Sequence, residues 1–222
     1  LKFNSPYDLV KNNKKNIRKQ IMNFLSISFG TASQSIFIKL ENKIFYKNLQ
    51  NIKFGSDVLM DQILKLTLKK KIKFSKLSEV YINQGPGSFS GLRSSLAIAK
   101  GISLSQGTKL YGYNTFSWCV SHFLKISKPI YCILKIRKNY FIQKFNKLKK
   151  PILNPKIISK KDIITKYKDS FLVTTSDSLK TFDKEILNLK NLNITNLNHK
   201  MLEIMKRNNL LQGNLVKPLY FR

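Results

Sequence analysis

Apolar and polar residues alternate three times near the start of the chain. FLSISF (24–29), SIFIKL (35–40) and KIFYKNL (43–49) each read as a strand, with Gly30 to Ser33 and Glu41-Asn42 as turns. An antiparallel meander is expected. The period then changes. In SDVLMDQILKLTLKK (56–70), Leu59, Ile63 and Leu66 recur at helical spacing with Met60 and Leu64 beside them; Ser56 is placed to cap this helix and Asp57 to suit its positive start. A strand at 79–83, a helix over about 90–105, a strand at 108–113 and a helix from Asn114 or Thr115 to about Lys125 complete the order βββαβαβα over residues 22–125. That order predicts a mixed sheet covered by helices.

From Lys128 the pattern partly restarts. PIYCILKI and NYFIQKFN read as a strand hairpin, SKKDIITKY as a short helix, SFLVTT as a strand, NLNITNLN as a further one and HKMLEIMKRN as a helix. No repeat of fixed period stands out. Three segments are therefore expected: a basic, disordered extension or start-site artefact at 1–21, a first lobe at 22–127 and a smaller second lobe at 128–222.

Composition adjusts this picture in two places. The formal charge is +30, from 41 basic and 11 acidic residues, and between Glu79 and Asp162 there is no acidic residue at all. Such a surface attracts nucleic acid or an acidic partner. Of the basic residues 36 are Lys, and a compositional drift towards Lys, Asn and Ile, as an A+T-rich genome gives, accounts for part of the charge without any function. Cys119 and Cys132 make neither a disulfide framework nor a metal spacing, and a reducing, cytoplasmic setting is expected. Residues 1–21 contain no apolar run of a secretory signal, and no stretch is long and apolar enough to span a membrane.

The chemistry of the chain concentrates in QGPGSFSGLR (84–93), between a strand and a helix. A phosphate-binding P-loop needs a Lys after its last glycine, and here Leu92 follows Gly91. A dinucleotide fingerprint needs G-x-G-x-x-G, and Gly85, Gly87 and Gly91 are spaced one residue too far. A nucleophile elbow needs Ser where Phe89 stands in GSFSG. What remains is a tight strand-to-helix turn: Pro86 fixes its φ, Ser88 or Ser90 can cap the helix, and Gly91 lets another backbone come close. A helix start can also hold an anion.

QGPGSFSGLRSSLAIAKGIS resembles the signature G-P-G-S-F-T-G-L-R with a following A-K-G-L of the TsaB (YeaZ) family, with Ser90 where Thr is usual and Ala99, Lys100 and Gly101 matching A-K-G. The resemblance extends to GYNTF after the next strand and to the closing KPLYFR. It implies a two-lobed α/β fold of the actin-like, sugar-kinase-like (ribonuclease-H-like) kind. It also implies a non-catalytic scaffold subunit of the tRNA threonylcarbamoyladenosine machinery, which binds the catalytic subunit TsaD and works with the ATPase TsaE on tRNA. ATP and metal are then expected on those partners and no cofactor on this chain, with a homodimer through the same surface as a further option. The family contact lies on the two helices of the first lobe. Carried onto this chain, it involves Ser56, Asp57, Leu59, Met60 and Ile63 on the first helix. On the second it involves Leu92, Arg93, Ser95, Leu96, Ala99 and Lys100. Gly85, Pro86, Gly87, Ser88, Phe89, Ser90 and Gly91 form the motif loop.

The chain departs from the family at Ser28, where Asp is usual, at Lys135, where D-A-R usually begins (leaving Arg137 and nearby Tyr140), and at Gly55, where His is usual. An Asp at the first position is what ATPases of this fold use to organise a metal and a water, so Ser28 speaks against hydrolysis. Two other readings stay open: an actin-like-fold nucleotide phosphohydrolase or peptidase acting alone, and a free-standing basic nucleic-acid-binding module. Cys119 and His122, three apart on one helix, are expected to be core, and His199 stands alone.

Overall fold

Strand-forming stretches on either side of residue 128 build two five-stranded sheets with the same plan. A computed structural model describes residues 22–50, 52, 56–213 and 216–220. The expectations for residues 1–21 and for Gly55 lie outside the described residues. In the first sheet β1 (Phe24–Ser28), β2 (Ser35–Leu40) and β3 (Lys43–Asn48) form the expected meander, and β4 (Glu79–Asn83) and β5 (Lys109–Tyr113) add parallel to β1, giving the order β3-β2-β1-β4-β5. The second sheet repeats this. Here β6 (Ile130–Ile136), β7 (Asn139–Phe145) and β8 (Lys156–Ile158) are antiparallel neighbours, and β9 (Phe171–Thr175) and β10 (Leu192–Thr195) add parallel to β6, giving β10-β9-β6-β7-β8. The sequence does not predict β8: it has three residues, follows Pro155 and buries only Ile158.

Alternation decides what each face meets. Leu25, Ile27, Ile36 and Ile38 point to one face of the first sheet. There α1 (Ser56–Lys69) and α2 (Phe89–Gln106) cover them with Leu59, Ile63, Leu66, Leu96, Ala99 and Ile102. Phe24 and Phe37 point to the other face and meet Tyr81, Tyr113, Trp118, Leu202 and Met205. Two helices cross between the halves. The helix α3 (Thr115–Ser121) follows β5 but packs Phe116, Cys119 and Val120 on the second sheet, while α6 (Met201–Arg207) follows β10 but packs on the first. On the outer face of the second sheet lie α4 (Lys160–Lys166) and α5 (Lys184–Leu187), through Ile163 and Ile186.

The helix ends follow local chemistry. Ser88 Oγ accepts from Gly91 N at 3.2 Å at the start of α2, and Gly107 closes it in the left-handed region at φ 62°. Asn114 Oδ1 accepts from Ser117 N at 2.8 Å at the start of α3, and Ser159 caps α4. Among the described residues no helix is long and apolar enough to cross a membrane.

Candidate functional site

The turn after β4 exists to let backbones touch. Ser88 N donates to Gly30 O at 2.6 Å, so the motif loop is bonded to the β1–β2 turn. A Cβ on Gly87 would lie 2.1 Å from Gly30 O, and one on Gly91 would lie 2.6 Å from Gly30 Cα; no side chain fits either place. Gly85 sits at φ 115° ahead of a cis peptide to Pro86. The amides of Gly91 and Leu92 bond to Ser88 Oγ and Ser88 O. The loop is thus a tight packed turn, with the amides of Ser88, Gly91 and Leu92 bonded internally.

The tail completes this junction. Leu219 N donates to Gln84 O at 2.6 Å, and Gln84 Nε2 donates to Lys217 O and to Gln212 Oε1, both at 2.8 Å. Tyr220 stacks near Phe89 at 5.0 Å between centroids, and the Arg93 guanidinium stands 5.0 Å over the Phe89 ring. Two segments that the sequence links to one family, 130 residues apart, therefore meet in space.

The two helices sort the expected contact residues into two groups. Leu59, Ile63, Leu92, Ser95, Leu96 and Ala99 are all buried against the chain's own sheet. These six pack the chain's own core and hold the helices in place. Asp57, Arg93 and Lys100 are exposed and Met60 is partly so; Ser56 opens α1. The sequence reading named Asp57, Phe89, Arg93 and Lys100 of the outward rows but not their exposed leucines, because both helices carry leucines on both sides. On α1 the outward row is Asp57, Asp61, Leu64 and Leu68; on α2 it is Phe89, Arg93, Ala97, Lys100 and Leu104. Leu68 is 76% exposed, Leu104 84% and Phe89 57%. Ala97 and Gly101, one turn apart, are both exposed, and nothing lies within 4 Å of a Cβ placed on Gly101. The helices lie side by side on one face of the sheet, so these rows form one surface with an apolar content unusual for free water.

The cleft between the halves is almost free of charge. Ser28 Oγ donates to Ser33 O at 2.6 Å, lies 3.0 Å from Thr31 Oγ1, and accepts from Asn83 Nδ2 at 3.1 Å; Asn83 also reaches Thr115 Oγ1 at 3.2 Å. Ser28 is thus a neutral member of a hydroxyl–amide network. Across the cleft Ser33 Oγ donates to Asp177 Oδ2. Lys135 pairs with Asp183 at 3.1 Å, and Tyr140 donates to the same oxygen at 2.8 Å, which holds the Asp183 carboxyl below its usual range. Tyr140 is buried and Arg137 is exposed at the β6–β7 turn.

The histidines reverse their expected importance. His122 caps α3 with Nδ1 2.9 Å from Trp118 O, and Cys119 is buried beside Cys132, whose thiol is pushed up by burial and by Cys119. A thiol held protonated is no nucleophile. His199, expected to stand alone, is a buried hub. Its Nε2 lies 2.8 Å from Ser35 Oγ and its Nδ1 2.9 Å from Ser26 Oγ, and its ring stacks on Phe37 and leans on Trp118. Burial pushes its pKa down to about 3. A serine–histidine contact of this kind lacks the carboxylate that would stabilise an imidazolium, and its base is far too weak near neutral pH for nucleophile activation.

Comparison with known proteins agrees with this geometry. A family model described as TsaD, tRNA N6-adenosine threonylcarbamoyltransferase, matches residues 55–142, which include α1, the motif loop and α2. The tRNA threonylcarbamoyladenosine biosynthesis protein TsaB of Buchnera aphidicola subsp. Schizaphis graminum is 32% identical over 94 residues; the match spans 42% of this chain and 43% of that protein, less than half the length of either. Two Pseudomonas aeruginosa structures share the fold over 90% of this chain and 100% of theirs, each at 10% identity. One is described as YeaZ (TM-score 0.63) and the other as an uncharacterized protein with similarity to peptidase YEAZ (TM-score 0.65). With the nine-residue motif seated on the β1–β2 turn and the two-lobed fold in place, the chain is similar to the TsaB (YeaZ) family over its motif region and shares the YeaZ fold.

Proposed function

We propose that this protein is a scaffold subunit for tRNA threonylcarbamoyladenosine synthesis in the cytoplasm, which binds a TsaD-like catalytic subunit through the outer face of α1 and α2. The observation that carries this reading is the outward surface itself. Leu64, Leu68 and Leu104 are left in solvent beside the small residues Ala97 and Gly101, where a partner helix can approach to the short end of the usual interaxial range of about 8–10 Å. Phe89, Arg93 and Tyr220 lie at one end of the surface and combine an arginine with stacked aromatics, the residue types that dominate interface energies. A TsaE-like ATPase joins through the partner, and nucleotide and metal belong to the partners. A second copy of this chain is the competing occupant of the same face.

The test is co-expression with the TsaD of the same organism, followed by size-exclusion chromatography. One stoichiometric complex is expected, and Ala97→Glu or Leu104→Glu should abolish it while leaving the circular dichroism of the free chain unchanged. A complex that survives both substitutions refutes this face.

A second reading concerns tRNA within the same assembly. Lys125, Lys128, Lys147 and Lys150 are exposed around one end of the β6–β7 pair, where Ile130 pairs with Phe145. They form a phosphate-binding cluster whose contribution falls as salt rises. Replacing all four with Ser should weaken tRNA binding by the complex and flatten its salt dependence, without affecting assembly.

A further inference from the structure

On the sheet face opposite α1 and α2, strand register places Ser35 across from Asn48 and Phe37 across from Tyr46. The carboxyl ends of the parallel strands β9 and β10 approach from the other half and deliver Asp177 and Asn196. Ligands of open α/β sheets bind outside such strand ends. Between them is a cavity of about 190 Å³, floored by Trp118 and His199 and rimmed by Tyr46. An apolar cavity of about 150 Å³ holds a benzene ring, so this one has room for a compact ring.

Its charge is out of character for the chain. The protein carries 41 basic residues, yet among the described residues no lysine or arginine lines this cavity. His199 is uncharged there because burial lowers its pKa to about 3. Among the described lining residues Asp177 is the one acidic side chain. It is partly buried, accepts from Ser33 Oγ and, among the described residues, forms no ion pair with any lysine or arginine. In a chain so rich in lysine, a carboxylate without a cation beside aromatic rings and carboxamides is a place kept for an external one. Aromatic faces favour the same charge. Repulsion from distant lysines is screened beyond about 8 Å at physiological salt, so the local carboxylate decides.

We propose that this cavity binds a small organic cation: an ammonium group held at Asp177 on a compact ring, with hydroxyls that bond to Ser35, Asn48 and Asn196. Phosphorylated compounds should bind poorly, since no described lining residue would neutralise them. The site stands apart from the partner-binding face and does not depend on it.

Trp118 is the only tryptophan and lines the cavity, so its fluorescence reports occupancy directly. The probes are glucosamine, glucose and glucose 6-phosphate, which share one ring and carry positive, neutral and negative charge. Glucosamine should give a saturable change and bind about tenfold to a hundredfold more tightly than glucose, the range of a charge-assisted hydrogen bond; glucose 6-phosphate should give none. Asp177→Asn should bring glucosamine to the level of glucose. Equal binding of all three, preference for the phosphate, or no saturable change with any of them overturns the proposal, and the wild-type series decides this even if the variant does not fold.

Discussion

Acid should unfold this protein through one residue. His199 is held neutral in the fold, with its pKa lowered from 6.5 to about 3 by burial. In the unfolded chain it titrates near 6.5. The unfolded state therefore binds more protons below that value, and the stability His199 gives is complete above pH 6.5 and is lost as pH falls towards 3. Each pH unit in that window costs about 1.4 kcal/mol, so going from pH 6.5 to about pH 4.5 removes about 2–3 kcal/mol. This is a large share of the roughly 5–15 kcal/mol that holds a domain folded. The perturbation is His199→Gln, which keeps a donor and an acceptor for Ser26 and Ser35 and does not titrate. Urea unfolding of both proteins at about pH 7 and about pH 4.5 gives four stabilities. The variant starts lower but should lose about 2–3 kcal/mol less on acidification. Losses equal to within about 0.5 kcal/mol, the usual tolerance of additivity, would show that the imidazole is hydrated and the buried hub is wrong.

The two sides of α2 should behave differently. Leu96→Ala, in the core, should cost about 2–5 kcal/mol of stability in urea, while Leu104→Ala, in solvent, should stay within about 0.5 kcal/mol and lower only co-elution with the partner. Gly87→Ala drives a methyl into Gly30 O and should cost about 1–3 kcal/mol, read as a drop in melting temperature; a neutral effect would mean that the loop is not seated on the β1–β2 turn. Leu219→Pro deletes the N–H bonded to Gln84 O and leaves that carbonyl unpaired, a loss of about 1–3 kcal/mol that faster amide exchange of residues 216–220 should report.

The first sheet and its two helices were legible because period and face agree. Strands 24–28 and 35–40 are short apolar-rich runs between turn residues, buried on both faces, and Leu59, Ile63 and Leu66 lie one helical turn apart on a stripe that the sheet needs. What lay beyond the sequence was long-range. Nothing local says that α3 leaves its own half to cover β6, or that α6 returns to the first sheet, because an apolar helix face fits either core. The duplication was hidden for the same reason: it is a repeat of strand order, with no repeat of residues. His199 looked solitary because its partners, Ser26 and Ser35, lie more than 160 residues away. Several of the expected contact residues prove to be buried because a motif records what must be kept, and in this motif much of what is kept is internal packing.

That last point separates the two surfaces. Phosphoryl transfer at the cleft would call for charged groups to hold a metal and steady the phosphates, and the ends of β1, β4 and β9 bring Ser28, Asn83 and Thr175 there, with Asp177 the nearest carboxylate. On the proposals above, the cleft holds something small and the outer helices something large. They lie on opposite faces of one sheet, whose interior is filled from both sides by well-packed residues. Leu104→Glu should therefore leave the Trp118 fluorescence titration unchanged, and Asp177→Asn should leave co-elution with the partner unchanged. If either substitution disturbs the other assay, the sheet transmits between its faces, and the two surfaces must be treated as one coupled site.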